Sequence, residues 1–268
     1  MDRLPRLVAT DLDGTLLDRD GNVTPRTLRT LGQLEAGGVG VVFVTGRPVR
    51  WMDALWEHVG DHGIAICSNG GIVYDVAEHR VLTARAIERE VGLEVADRVR
   101  AVLPGSVFAL ERIGGFAKEP GYSPSPADAE RTDLIVGSLP DVYGDDVVKL
   151  LALDGGDADP AAYWSAVEES VGHLVTTTWS ARGALVEMSA VGVSKASTLA
   201  QWCQAHGIAA AEVVAFGDMP NDIAMLDWAG LSFAMENAHH LVKQVADGVA
   251  PSNDEDGVAR VLEQLFDL

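Results

Sequence analysis

Three short apolar runs separated by helix-length segments constrain this chain most. Residues 7–10, 39–44 and 64–67 are each long enough for a buried strand, and each gives way at once to polar or glycine residues. Between the first two, Thr24-Pro25 is followed by Leu28, Leu31 and Leu34 and then by Gly37-Gly38, the order of an N-cap, an N1 proline, one apolar face and a terminator. Between the second and third, Pro48 precedes Met52, Leu55, Trp56 and Val59 at helical spacing. Strands that alternate with helices predict a parallel sheet covered on both faces, with ligands bound at the carboxyl ends of its strands.

The alternation stops near residue 80. Beyond it the chain reads as a helix over 91–103, a strand over 107–110, a Gly/Pro/Ser-rich piece over 114–126, a strand over 147–153, a helix over 160–171, and strands over 174–179 and 184–189. Two helices and about four strands predict a small α+β unit over 83–187, inserted into a core made of 1–82 and 188–268. The first rhythm returns with a helix after Lys195, a strand over 213–216, a helix opened by Pro220, a strand over 231–234 and a closing helix over 258–266.

A net charge of −20 on 268 residues argues against nucleic acid or an anionic membrane as partner, so any anion site has to be built locally. With 47% hydrophobic residues and no run of about 18 apolar residues, the chain reads as globular without a membrane span. The first residues lack a signal-peptide pattern, and Cys67 and Cys203 form no C-x-x-C pair; both features lead us to expect a cytoplasmic protein.

Polar residues gather where the strands end. Asp11 and Asp13 follow the first run; on an extended segment they would face the same way, two anions needing a cation. Thr45-Gly46-Arg47 follows the second, Lys195 opens a helix, and Asp218 with Asn221 and Asp222 follows the strand over 213–216. Alone, Asp-x-Asp-Gly is compatible with a polar turn and Lys195 with a solvated lysine. Together they are the parts that phosphoryl transfer needs: carboxylates for Mg²⁺, a carboxylate nucleophile, a second carboxyl as acid and base, and donors for phosphoryl oxygens. His239-His240 reads as surface, because adjacent helical residues do not share a face. Ser194 faintly resembles a nucleophile elbow, but helix capping suits it better.

The order Asp11-x-Asp13-Gly14-Thr15, Thr45-Gly46-Arg47, Lys195, Gly217-Asp218-x-x-Asn221-Asp222 resembles the four motifs of the haloacid dehalogenase (HAD) superfamily. The insertion between the second and third motifs, and the tail Asn253-Asp254-Glu255-Asp256-Gly257, are similar to the Cof-type subfamily with its α/β cap. The resemblance implies a Rossmann-like core, a Mg²⁺ cofactor and a small phosphomonoester substrate hydrolysed through an aspartyl phosphate. It implies Asp11 as nucleophile and metal ligand, and Asp13 as acid/base with its main-chain carbonyl on the metal. Thr45, Gly46 and Lys195 would bind the phosphoryl group, Asp218 the metal, and Asp222 would support the metal or Lys195. Asn221 would contact phosphate or the metal's waters, and Arg47 the phosphate, the substrate or the cap. Ala196 and Glu236 stand where the family usually has glycine. A phosphomutase with the same intermediate, a non-catalytic phosphate sensor and a Ser194 hydrolase are the rival readings. Oligomeric state is left open between monomer and weak dimer.

Overall fold

The computed structural model describes residues 4–52, 55, 63–123, 125, 128, 132–156, 158–179 and 183–268. Trp56 and Val59 of the expected second helix lie outside these residues. Ahead of them, Val49–Trp51 forms a single tight turn, and Met52 and Leu55 are buried.

The first sheet has eight strands: β1 (Leu7–Thr10), β2 (Gly40–Val44), β3 (Ile64–Cys67), β4 (Ile72–Asp75) and β5 (Arg80–Ala84), with β12 (Val213–Gly217), β13 (Leu231–Met235) and β14 (Gly248–Ala250) from the end of the chain. Their order is β14-β13-β12-β1-β2-β3-β4-β5. From β14 to β3 every pair is parallel, as the sequence predicts. All four residues of β1 are buried, because helices cover both faces of the sheet. These include α1 (Pro25–Ala36), capped by Thr24 with Pro25 at its first position, α5 (Ile223–Trp228), which follows the turn that Pro220 opens, and α6 (Gly257–Phe266), against which α1 packs.

β4 and β5 are an antiparallel extension that the sequence reading did not anticipate. Residues 68–71 looked like a stop, and β5 has no buried face, so it shows no alternation to detect.

Six strands make the second sheet: β6 (Ser106–Arg112), β7 (Gly115–Lys118), β8 (Ile135–Val136), β9 (Val147–Asp154), β10 (Val175–Thr178) and β11 (Leu185–Ala190), ordered β10-β11-β9-β6-β7-β8. About four were expected. β7 lies in the glycine-rich stretch and β8 has only two residues, so a period of two cannot build up in either.

Strand alternation assigns the two faces of this sheet. Phe108 and Leu110 of β6, Leu150 and Ala152 of β9, and Val186 and Met188 of β11 pack with α2 (Arg89–Val102) and α3 (Pro160–Val171). The intervening residues, Glu111, Lys149, Leu151, Leu153, Leu185 and Glu187, line a cavity that also holds Asp11 and Asp13. No helix among the described residues is long and apolar enough to cross a membrane.

Candidate active site

Neighbouring parallel strands end together, which converts distant sequence positions into one cluster. β1, β2 and β12 finish at Thr10, Val44 and Gly217, and the next residues are Asp11, Thr45 and Asp218. The Asp11 N–H still donates to the Phe216 carbonyl at 3.0 Å, and the chain then leaves the sheet. Gly14 turns the loop at φ +73°, and a Cβ there would overlap the Asp218 carboxylate. Thr15 Oγ1 donates to Asp218 Oδ1 at 3.1 Å. From outside, Asn237 Nδ2 holds the Gly14 carbonyl (2.7 Å), and Asn253 holds both Asn237 and the Leu17 carbonyl. Asn253 of the tail thus braces the loop that carries Asp11, both directly and through Asn237.

Lys195 is the first residue of α4 (Lys195–Ala205), whose N-cap is Ser194. Ser194 Oγ accepts from the Ser197 N–H, so this serine is engaged as a helix cap. The Lys195 ammonium, 1% exposed, donates to Asp11 Oδ1 (2.8 Å) and Asp222 Oδ1 (2.7 Å). Asp222 Oδ2 accepts from the N–H groups of Asp218 (3.0 Å) and Met219 (3.1 Å). Burial opposes the charge on Lys195, but Asp11 and Asp222 outweigh it and raise the pKa of the ammonium. Burial lifts the Asp11 carboxyl well above the carboxylate range; Lys195 pulls it down while Asp222 and Asp218 push it up. Burial, then Asp222, pushes Asp218 up to about 7.

Oxygens of Asp11, Asp218 and Asp222 lie within 4.8 Å of one another. Three buried carboxylates facing one ammonium leave surplus negative charge, which a divalent cation would neutralise. The donor set is all oxygen and fits Mg²⁺. Both oxygens of Asp222 are occupied by Lys195 and main-chain N–H groups, so Asp11 and Asp218 are the ligands best placed to bind it.

Asp11 and Asp13 both line the cavity, but they differ in surroundings. β1 ends at Thr10, so both belong to the loop that follows it. Asp11 is buried, whereas the Asp13 side chain is 59% exposed and gripped by Arg47. Nε and Nη2 of Arg47 reach the two Asp13 oxygens at 2.7 and 2.5 Å. Thr45, fully buried, accepts from the Arg47 N–H at 3.0 Å, and Gly46 and Asn221 line the cavity.

That cavity, about 420 Å³, lies between the two sheets. Several residues around it escaped the sequence reading. Lys149 Nζ donates to the Gly46 carbonyl (2.8 Å) and to Glu187 (2.6 Å). Asn69 Nδ2 donates to Glu187 (3.1 Å) and Asn69 Oδ1 accepts from Asn221 (3.1 Å). Arg50 joins Glu111 and Asp128, with 11% or less of each side chain exposed. A signal for Lys149 and Glu187 was present: each is a charge set among apolar neighbours inside a strand.

Within and beside the second sheet, Glu111 lines the cavity, Arg112 pairs with Asp146, and Trp179 packs edge-on against His239. Arg182 lies outside the described residues. His240 is exposed, while His239 is half-buried and its N–H holds the Asp218 carbonyl at 2.8 Å.

The profile of haloacid dehalogenase-like hydrolases matches residues 8–262. A 5-amino-6-(5-phospho-D-ribitylamino)uracil phosphatase of Bacillus subtilis is 30% identical over the whole of both chains. A pyridoxal phosphate phosphatase of Escherichia coli is 28% identical, covering 96% of this chain and 97% of its own. Among solved structures, SMU.1108c from Streptococcus mutans superposes with a TM-score of 0.86 at 24% identity, covering 98% of this chain and all of that one, a likeness of fold. With a motif order, a sheet topology and a profile that all agree, the chain belongs to the haloacid dehalogenase-like hydrolase family.

Proposed function

We propose that this protein is a Mg²⁺-dependent phosphomonoester hydrolase that works through an aspartyl phosphate on Asp11. The observation that carries this reading is the buried Lys195 bridge between Asp11 and Asp222, beside Asp218, at the wall of a cavity. In the first step an oxygen of Asp11 attacks phosphorus and the bond to the leaving oxygen breaks, while Asp13 gives that oxygen its proton. In the second, Asp13 takes a proton from water as the water attacks phosphorus, and inorganic phosphate and free Asp11 result. Arg47 aims the Asp13 carboxyl. Thr45, Gly46 and Lys195 receive the phosphoryl oxygens. Mg²⁺ held by Asp11 and Asp218 would supply positive charge against those oxygens.

The unit built on the second sheet acts as a cap on the unit built on the first, with the chain crossing after β5 ends at Ala84 and after β11 ends at Ala190 rather than at the expected 83 and 187, and the cavity between them selects the leaving group. Leu151, Leu153, Leu185, Phe116 and Trp51 make much of its wall apolar, which suits a small organic phosphate with a ring or short chain. The phosphorylated ribitylaminouracil and pyridoxal esters named for the two relatives are of this kind. Phosphate release from p-nitrophenyl phosphate with Mg²⁺ tests the reading: Asp11→Asn is expected to abolish turnover, and wild-type-like turnover in that variant overturns it. Isomerised sugar phosphate in place of free phosphate would identify a phosphomutase instead.

A further inference from the structure

The face of the second sheet that looks into the cavity is graded along its strands. Glu111, Ala109 and Val107 of β6 stand opposite Lys149, Leu151 and Leu153 of β9. The charged pair marks the reactive end, since Lys149 Nζ donates to the Gly46 carbonyl at 2.8 Å. Two residues further along each strand, about 7 Å away, the wall turns apolar. A phosphoester bound beside Gly46 would lay its leaving group along this gradient.

Tyr122 brings one polar atom into the apolar part. It comes from the Gly/Pro/Ser-rich stretch and clusters with Ala109, Leu151 and Phe116, its ring edge-on to Phe116 with 6.2 Å between centroids. The turn that carries it is fixed. Its N–H donates to the Glu119 carbonyl at 3.1 Å, and its own carbonyl accepts from Lys118 Nζ at 2.8 Å. Tyr122 is 6% exposed and lines the cavity, yet among the described residues its hydroxyl has no hydrogen-bond partner. Buried phenols are otherwise hydrogen-bonded.

The charges nearby are already engaged. Arg50 pairs with Glu111 and Asp128, and Lys149 with Glu187. Three carboxylates against two cations leave this wall negative. Burial, and then the same three carboxylates, raise the pKa of the phenol above its ordinary value, so the hydroxyl keeps its proton and can both donate and accept.

We propose that Tyr122 is a specificity-determining residue whose hydroxyl binds a neutral polar atom of the leaving group, a ring nitrogen, carbonyl or hydroxyl, one strand repeat beyond the phosphoryl site. This rests on the phosphomonoesterase reading and names the leaving groups it favours. The apolar wall holds the carbon frame, and Tyr122 selects among frames by one hydrogen bond. A second anion at that place meets the surplus of carboxylates and is disfavoured.

Tyr122→Phe in the full chain removes the hydroxyl and keeps the ring. Three esters are the probes, each with Mg²⁺: benzyl phosphate, which has no polar atom beyond the ester, and pyridoxine 5′-phosphate and ribose 5-phosphate, which have several. For one or both polar esters kcat/KM is expected to fall about three- to tenfold, the worth of one hydrogen bond, while benzyl phosphate loses less. A loss as large on benzyl phosphate, or no loss on any ester, overturns the proposal. 4-Carboxybenzyl phosphate tests the charge rule. The wild type is expected to use it less well than benzyl phosphate, and equal or better use overturns the assignment of a neutral group. Binding keeps this proposal separate from the activity on which it rests. Calorimetry of the two polar esters on Asp11→Asn, with and without Tyr122→Phe, is expected to show a three- to tenfold loss of affinity for at least one of them, and equal affinities for both overturn the proposal. If the wild type hydrolyses no phosphoester, the phosphatase reading falls, while the calorimetry still reports on Tyr122.

Discussion

Arg47 holds Asp13 at the cavity by two parallel hydrogen bonds, 2.7 Å from Nε to Oδ2 and 2.5 Å from Nη2 to Oδ1. A forked guanidinium fixes both the position and the plane of a carboxylate, which a lysine cannot do. Arg47→Lys is therefore expected to lower kcat roughly tenfold or more with a smaller change in KM, since general acid–base catalysis contributes about 10²–10⁴-fold when well aligned. Asp13→Asn tests the same relationship through the leaving group. Its loss should be larger for an alkyl phosphate than for p-nitrophenyl phosphate, whose leaving oxygen needs little protonation; equal losses would remove Asp13 from the acid role.

Gly14 is placed by two independent demands, a φ of +73° and contact with Asp218. Gly14→Ala would meet the Asp218 carboxylate with its methyl group, in a backbone conformation that alone costs roughly 1 kcal/mol. The expected result is a folded protein, with an unfolding midpoint within a few degrees of wild type, that has lost most of its Mg²⁺ affinity and turnover. Undiminished Mg²⁺ binding by calorimetry would contradict the placement of Asp218 as ligand.

Removing divalent metal leaves the acid cluster under its own repulsion. Asp218, pushed up to about 7 by burial and by Asp222, binds a proton more tightly folded than unfolded. For such a group the stabilisation is complete below the ordinary carboxylate pKa and is lost as pH rises to about 7. Metal-free protein should accordingly melt lower at pH 8 than at pH 5.5, other groups being equal, and Mg²⁺ should raise the melting temperature more at pH 8, where it does not compete with that proton. EDTA should abolish turnover and Mg²⁺ restore it. A Mg²⁺-induced shift larger at pH 5.5 would reverse the sign and discard the cluster as the binding site.

Arg50 stands between Glu111 and Asp128 with little solvent around any of them. Truncating it to Met leaves two carboxylates without their cation, a change that costs about 3–5 kcal/mol when a buried pair is broken. Because Glu111 and Asp128 line the cavity and Arg50 reaches them from the turn after β2, Arg50→Met should also raise KM. A double replacement of Glu111 and Asp128 by Gln and Asn in the Arg50→Met background is expected to regain part of the stability in urea titration, since no unpaired charge then remains.

Local chemistry wrote the parallel part of the first sheet into the sequence. Apolar runs at 7–10, 39–44, 64–67 and 213–216, alternating with helical segments, point to a parallel sheet with covered faces, and the residues just after such strands meet at one edge. Asp11, Thr45 and Asp218 were legible for that reason, and Lys195 by its place in the motif order. Tertiary structure alone decided the rest. It buried Asp11 and left Asp13 exposed against Arg47, both in the loop that follows β1. It also set Lys149 and Glu187 opposite Asn69 and Asn221. Hydrogen bonding among residues 69, 149, 187 and 221 depends on which groups face each other across two sheets, and a linear pattern carries no record of that facing.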